Sequence, residues 1–392
     1  MKKFLLLIFC LCFINIFICF PKYVYAESDE SEKIFEELNN DIQNQLENID
    51  FSKLDEELKK QDNLYDNLSF LDRVKKIING EMNLDYNSFF TYILSLLFDE
   101  ILNCVPIFCL IISIAIICSI VGQIGDSSGK NSVSSVVYFV CFSLIVILVF
   151  KSVFELVNAT KVTLNSISNQ IQLIFPILLT LITSIGGVAT AGIYQPAMTV
   201  LSTVISELFI SVLMPIFIFS FVFNIIGNIS PNVKLKKFTK FFNSLFKWIV
   251  GSVFAVFISF LTIQGITAIS SDNISIKTAK FALKSYVPIL GGYLSDGVSL
   301  IMASSVLVKN GIGATGLILL FSTILSPVLK IAIFILGLKL MAGILEPLSE
   351  KRISEFIYNV SKSLSMLIVC ILGMGFMYLI SIGLIMCSAN IF

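Results

Sequence analysis

Residues 176–219 read PILLTLITSIGGVATAGIYQPAMTVLSTVISELFISVLMPIFIF. Two apolar runs flank the segment GIYQPAM (192–198), and Glu207 lies just inside the second run. Runs of about 20 apolar residues are long enough to cross a bilayer as helices. Glycine and proline free backbone groups that hydrocarbon cannot satisfy, so broken spans must face protein or a water path. The stretch therefore reads as two membrane helices joined through a turn. Gly186, Gly187, Ala189, Ala191 and Gly192 offer a small-residue surface for close helix approach. Pro196 lacks an N–H and suits the turn, where Tyr194 and Gln195 supply polar groups. Two roles fit: a tight hairpin, or a re-entrant lining of a conduit.

The rest of the chain agrees with a membrane class. Of 392 residues 56% are hydrophobic, and the mean hydropathy is +0.91, above the about 45–50% apolar content of soluble domains. The net charge of zero conceals an asymmetry: residues 27–86 carry 17 acidic and 7 basic side chains, against 10 and 17 in residues 87–392. There is no histidine, which removes the commonest general base and transition-metal ligand. The nine cysteines all lie in or beside apolar segments and read as small packing residues.

Residues 1–26, MKKFLLLIFCLCFINIFICFPKYVYA, have the basic start, apolar middle and small-residue end of a signal peptide, with cleavage between Ala26 and Glu27; an uncleaved first span is the alternative. Either places residues 27–90 outside the cytoplasm. In that segment Ile34, Leu38, Ile42, Leu46 and Ile49 recur at helical spacing, giving an amphipathic segment that either docks, on a partner or on the membrane body, or stays solvated.

Eight spans are expected, at about 101–121, 136–157, 173–191, 199–226, 248–270, 287–308, 316–340 and 364–388. Counting sides puts Lys130, Lys277, Lys280, Lys284, Lys351, Arg352 and Lys362 in the cytoplasm, as the positive-inside rule asks. The loop with Lys234, Lys236, Lys237, Lys240 and Lys247 comes out external, against the rule. A shift of 112 residues aligns PIL at 176–178 with PIL at 288–290, and Pro215 with Pro327. The fold class is thus all-α and polytopic. After two spans in 91–158 come two candidate three-span units, 159–270 and 271–392, arranged as an inverted repeat.

Charges deep in spans are functional candidates. Lys151, Glu155 and Lys339 sit near span ends, whereas Glu207 and Lys330 sit deeper and are expected to pair. Pro215, Pro288, Gly291, Gly292, Asp296 and Pro327 join Gly186, Gly187, Gly192, Gln195 and Pro196 as helix-break or conduit positions. Lys277, Lys280 and Lys284 share one helical face that suits anionic headgroups or a cytoplasmic partner. No P-loop, HExxH or GxSxG motif occurs, and neither an enzyme nor a cofactor nor a metal is expected.

GIYQPAM, TIQGITAIS (262–270), KTAKFALKSYVPILGGYLSDG (277–297) and ASSVLVKNGIGATG (303–316) resemble the stage III sporulation protein AE family of endospore formers. The resemblance implies a multi-pass subunit in the mother-cell membrane around the forespore. Its implied partners are the other products of the same operon, among them a secretion-type ATPase, and a forespore membrane protein; together they form a channel needed for late forespore gene expression. A stand-alone secondary transporter is the alternative.

Overall fold

The computed structural model describes residues 29–59, 68–81, 86–127, 131–229, 235–286, 291–347 and 351–388. The signal-cleavage pair Ala26 and Glu27, and Pro288, lie outside them. The described residues contain helices and no strand. Three short helices, α1 (Asp29–Glu47), α2 (Ser52–Lys59) and α3 (Phe70–Ile78), come first. They are followed by α4 (Tyr86–Ser127) and α5 (Asn131–Ser184). A composite rod continues from α6 (Val188–Thr199) through the π-helical segment π1 (Val200–Ile205), α7 (Ser206–Leu208) and π2 (Phe209–Leu213) to α8 (Met214–Ile229). Then come α9 (Lys236–Tyr286), α10 (Gly291–Leu345) and α11 (Lys351–Cys387).

Local chemistry sets the ends of the short helices. Ser69 caps α3 by accepting from the Asp72 N–H at 3.1 Å, and the Ser69 hydroxyl returns a bond to the Asp72 carboxylate at 2.6 Å. Gly80, at φ +70°, ends α3 while the Glu81 N–H reaches back to the Lys76 carbonyl at 2.9 Å. Before α2, the Ser52 hydroxyl and N–H hold the Asp50 carboxyl below its usual range. The apolar positions read from the sequence turn inward: Ile42 and Leu46 are buried with Phe51, Leu54, Phe70 and Val74, and Phe51 stacks on Phe70 at 5.4 Å.

This group is docked. Gln45 donates to the Ser304 hydroxyl at 2.9 Å and accepts from Ser305 at 3.1 Å, while α2 packs on α5. Of the two roles open for the N-terminal segment, the structure takes docking on the membrane body.

Six helices are long and apolar enough to cross a membrane, where the sequence reading expects eight spans. The difference lies in two places. The runs 136–157 and 173–191 are not separated by a reversal, because NATKVTLNSISNQIQ (158–172) contains no glycine or proline and α5 runs through it. Residues 291–308 and 316–340 fall on one helix, α10, where Gly311, Gly313, Gly316 and Gly337 sit in packing contacts. The candidate repeat boundary at 158/159 falls inside α5, and that at 270/271 inside α9, so units of that length are not whole helices.

The packing of the six long helices also fixes which ends lie together. The Tyr138 hydroxyl donates to the Asn228 carbonyl at 3.1 Å, Arg352 stacks over the Tyr138 ring at 5.2 Å, and Phe142 meets Phe356 at 5.2 Å. Phe223 stacks on Phe238 at 5.5 Å. The helix ends at Ser127 and Asn131, Ile229 and Lys236, and Leu345 and Lys351 therefore gather at one end. Lys237, Lys240 and Lys247 share that end with Arg352 and Lys362, which the sequence reading puts on opposite sides. Lys277, Lys280 and Lys284 move to the opposite half of α9, away from those helix ends.

At the centre stands α11, packed against α10, α5, α8 and α9. Among its described side chains only Tyr358, Lys362 and Cys387 are exposed. A helix apolar on nearly every face belongs inside a bundle.

Candidate functional site

The opening stretch forms the closed end of a long hairpin. α5 ends at Ser184, the Gly187 N–H bonds back to the Ile182 carbonyl at 2.9 Å, and Gly186 sits at φ +93°. That left-handed conformation is why a glycine stands there. Gly187 then opens α6, its carbonyl accepting from the Ala191 N–H at 3.0 Å. Gly186 and Gly187 are thus the turn, one position set earlier than GIYQPAM. Gly192, Gln195 and Pro196 lie within α6 itself, exposed, while Tyr194 is buried.

Below the turn, α5 and the composite rod run antiparallel and in register. The Ser168 hydroxyl donates to the Ser202 carbonyl at 2.5 Å, Phe150 meets Phe221 at 6.1 Å, and Tyr138 meets Asn228. Each pair sums to nearly the same number, so residues 158–172 and 199–212 occupy one level.

At that level the exposed faces of both strands of the hairpin are polar and almost uncharged. On α5 the exposed side chains include Asn158, Asn165, Asn169 and Gln172. On the rod they are Gln195, Thr199, Thr203, Glu207 and Ser211 at four-residue spacing, with valines scattered beside them. π1 and π2 bracket Glu207, and π-helical turns in α-helices are frequent at functional sites.

The structure does not join Glu207 to Lys330. Glu207 accepts a hydrogen bond from the Ser211 hydroxyl one turn on, and Lys330 is half-buried on α10 near Cys104 of α4. Among the described residues the carboxylate's contact is this local hydroxyl, and no ion pair joins it to Lys330. Pro215 begins α8 after the π segment, and Pro327 sits half-buried inside α10. Gly291, Gly292 and Asp296 belong to the first turns of α10, and Lys277, Lys280 and Lys284 to α9, with side chains outside the described set. Among the described residues no group of three His, Cys, Asp or Glu is placed to hold a metal.

The sequence reading missed a second polar centre, in ASSVLVKNGIGATG. Here four elements converge on α10. Ser304 and Ser305 hold Gln45 of α1. Lys309 is fully buried and donates to the carbonyls of Met386 at 3.1 Å and Ser388 at 2.5 Å, closing the end of α11. Gly311 lies against Ile78 and Val74 of α3, Gly313 against Met386, and Gly316 against Ile174, Ile382 and Tyr378. Nearby, Gln170 of α5 donates to Thr323 of α10 at 2.6 Å. The sequence offered little signal: Lys309 falls one residue past the expected span 287–308, where a lysine reads as an ordinary loop charge.

Comparison with known proteins places this architecture. Residues 68–389 match the family described as stage III sporulation protein AE. The chain is also similar to stage III sporulation protein AE of Bacillus subtilis (strain 168), at 23% identity over 316 residues, covering 81% of this chain and 79% of the relative. No solved structure matches it.

Proposed function

The chain belongs to the stage III sporulation protein AE family, and from that premise we propose that it is a multi-pass membrane subunit of a channel between mother cell and forespore, required for late forespore gene expression. It would sit in the mother-cell membrane around the forespore, with the docked α1–α3 group in the intermembrane space. Its partners would be the other proteins of the operon, including a secretion-type ATPase that meets the basic end, and a forespore membrane protein that meets the opposite end. Residues 1–26 would direct export of the segment that follows. The subunit would assemble and conduct; it would not catalyse.

The observation that carries this reading is the family match across most of the chain, including every helix from α3 to α11. Two structural features support it. The six long apolar helices suit a polytopic subunit, and the nearly uncharged polar face of the α5–α6 hairpin suits a surface that meets other subunits or water. The test is a clean deletion in the source organism, scored for vegetative growth, heat-resistant spores and late forespore transcription. Normal growth with arrest after engulfment is the expected result. Normal sporulation would overturn it and favour a stand-alone transporter.

A further inference from the structure

Two helices are too long for the membrane that their composition suggests. The apolar segment of α5 spans 49 residues and that of α10 spans 47. At about 1.5 Å per residue each is roughly 70 Å long, against a hydrocarbon core of about 30 Å. Even a tilt of about 40° brings only some 26 residues into that core. Nearly half of each helix must stand outside the bilayer.

Two independent observations say which half. The first is the exposed face of α5. Over 136–154 it shows Val136, Phe139, Leu144, Ile147 and Phe154 with Lys151 the one charge, and over 158–184 it shows Asn165, Asn169, Gln172, Thr180 and Thr183 with Val162 the one large apolar side chain. The change falls near residue 157, about 32 Å from residue 136 along the axis at the helical rise, close to one bilayer thickness. The second is what covers α10. Residues 304–311 are packed beneath α1 and α3, whose group turns Glu36, Glu37, Glu47, Lys53 and Glu56 outward. Helices so charged on their outer face cannot lie in hydrocarbon.

We infer that the bilayer surrounds only the end of the bundle where α4 ends and α5, α9 and α11 begin, and that residues 158–213 of the hairpin, the first half of α10 and the α1–α3 group form a water-facing tower about 40 Å tall. The apolar side chains of 173–191 are then the core of a helical domain. Ile174, Phe175, Leu178 and Ile182 are buried, and Phe175 packs on Tyr378 at 5.9 Å. Glu207 is a solvated carboxylate of the tower, and its hydration explains why it stands exposed with only Ser211 beside it. The inference does not depend on the sporulation reading, because it concerns only where lipid ends.

The experiment uses the full chain in native-lipid membranes. In a background with the nine cysteines replaced, single substitutions Asn165→Cys, Gln172→Cys and Thr180→Cys are compared with Leu144→Cys and Ile147→Cys for reaction with an impermeant maleimide. The tower positions should react at least tenfold faster, from the side that also exposes Glu36→Cys. In parallel, Trp248, the single tryptophan, is replaced by Phe, and a new tryptophan is placed at Ile147, Gln172 or Thr180 in vesicles with brominated acyl chains. Quenching at 147 alone is expected. Quenching at 172 and 180, or thiols there that react only after detergent is added, would overturn the inference.

Discussion

The Lys309 ammonium, fully enclosed, donates to the Ser388 carbonyl at 2.5 Å, tying the middle of α10 to the last turn of α11. A helix C-terminus leaves unpaired carbonyls with partial negative charge, and a cation there satisfies both needs. Lys309→Met keeps the volume and removes the donor. It should lower stability by about 1–3 kcal/mol, the penalty of stranded buried carbonyls. Thermal melts of the detergent-solubilised chain would show it, and an unchanged melting temperature would count against the cap.

Gln45 gives a second, separable test. Its two hydrogen bonds to Ser304 and Ser305 are the polar part of the joint between α1 and α10. Each is worth about 0.5–1.5 kcal/mol, so Gln45→Ala should loosen the α1–α3 group without unfolding the bundle. Limited proteolysis should cut residues 29–81 faster while the fragment containing α4–α11 stays intact.

Gly337 faces the ring of Phe108, and a methyl group at that position would lie 2.0 Å from a ring carbon. Phe108 in turn packs on Phe334 at 5.5 Å, which limits its freedom to move aside. Gly337→Ala should destabilise by about 1–3 kcal/mol, as overpacking does. Adding Phe108→Leu should recover most of the loss, and a purely additive double variant would show that the contact is not responsible.

The six-crossing arrangement has its own signature. Lys237→Cys and Lys351→Cys sit at adjacent turns of one end and should react with an impermeant reagent from the same side of the membrane. Reaction from opposite sides would restore the eight-span inverted repeat.

A charge exchange between Glu207 and Lys330 should not rescue either single variant, because the carboxylate's partner is Ser211. Rescue of sporulation by the exchanged pair would show a coupling that this packing does not provide.

Much of this was legible beforehand, and the reasons differ from residue to residue. Ile42 and Leu46 could be assigned inward because a charged helix with an apolar stripe has only one face to bury. The reversal at Gly186–Gly187 was misplaced: these glycines read as a packing surface and the turn was put at Pro196, although a left-handed turn favours a glycine. GIYQPAM misled because proline and glycine suggest a break, yet a helix whose exposed side abuts nothing near Gly192 tolerates both. Lys309 went unseen because its partners lie 77 and 79 residues away on another helix.

By itself the sequence determined a helical membrane protein with an acidic amphipathic segment ahead of its body, since apolar run length, charge and period are properties of neighbouring residues. The number of long apolar helices, the partner of Glu207 and the site of Lys309 were decided only in the tertiary structure. Leucine, isoleucine and phenylalanine satisfy lipid and protein interior equally well. Whether a run such as 173–191 meets acyl chains or the ring of Tyr378 depends on which helices come to surround it.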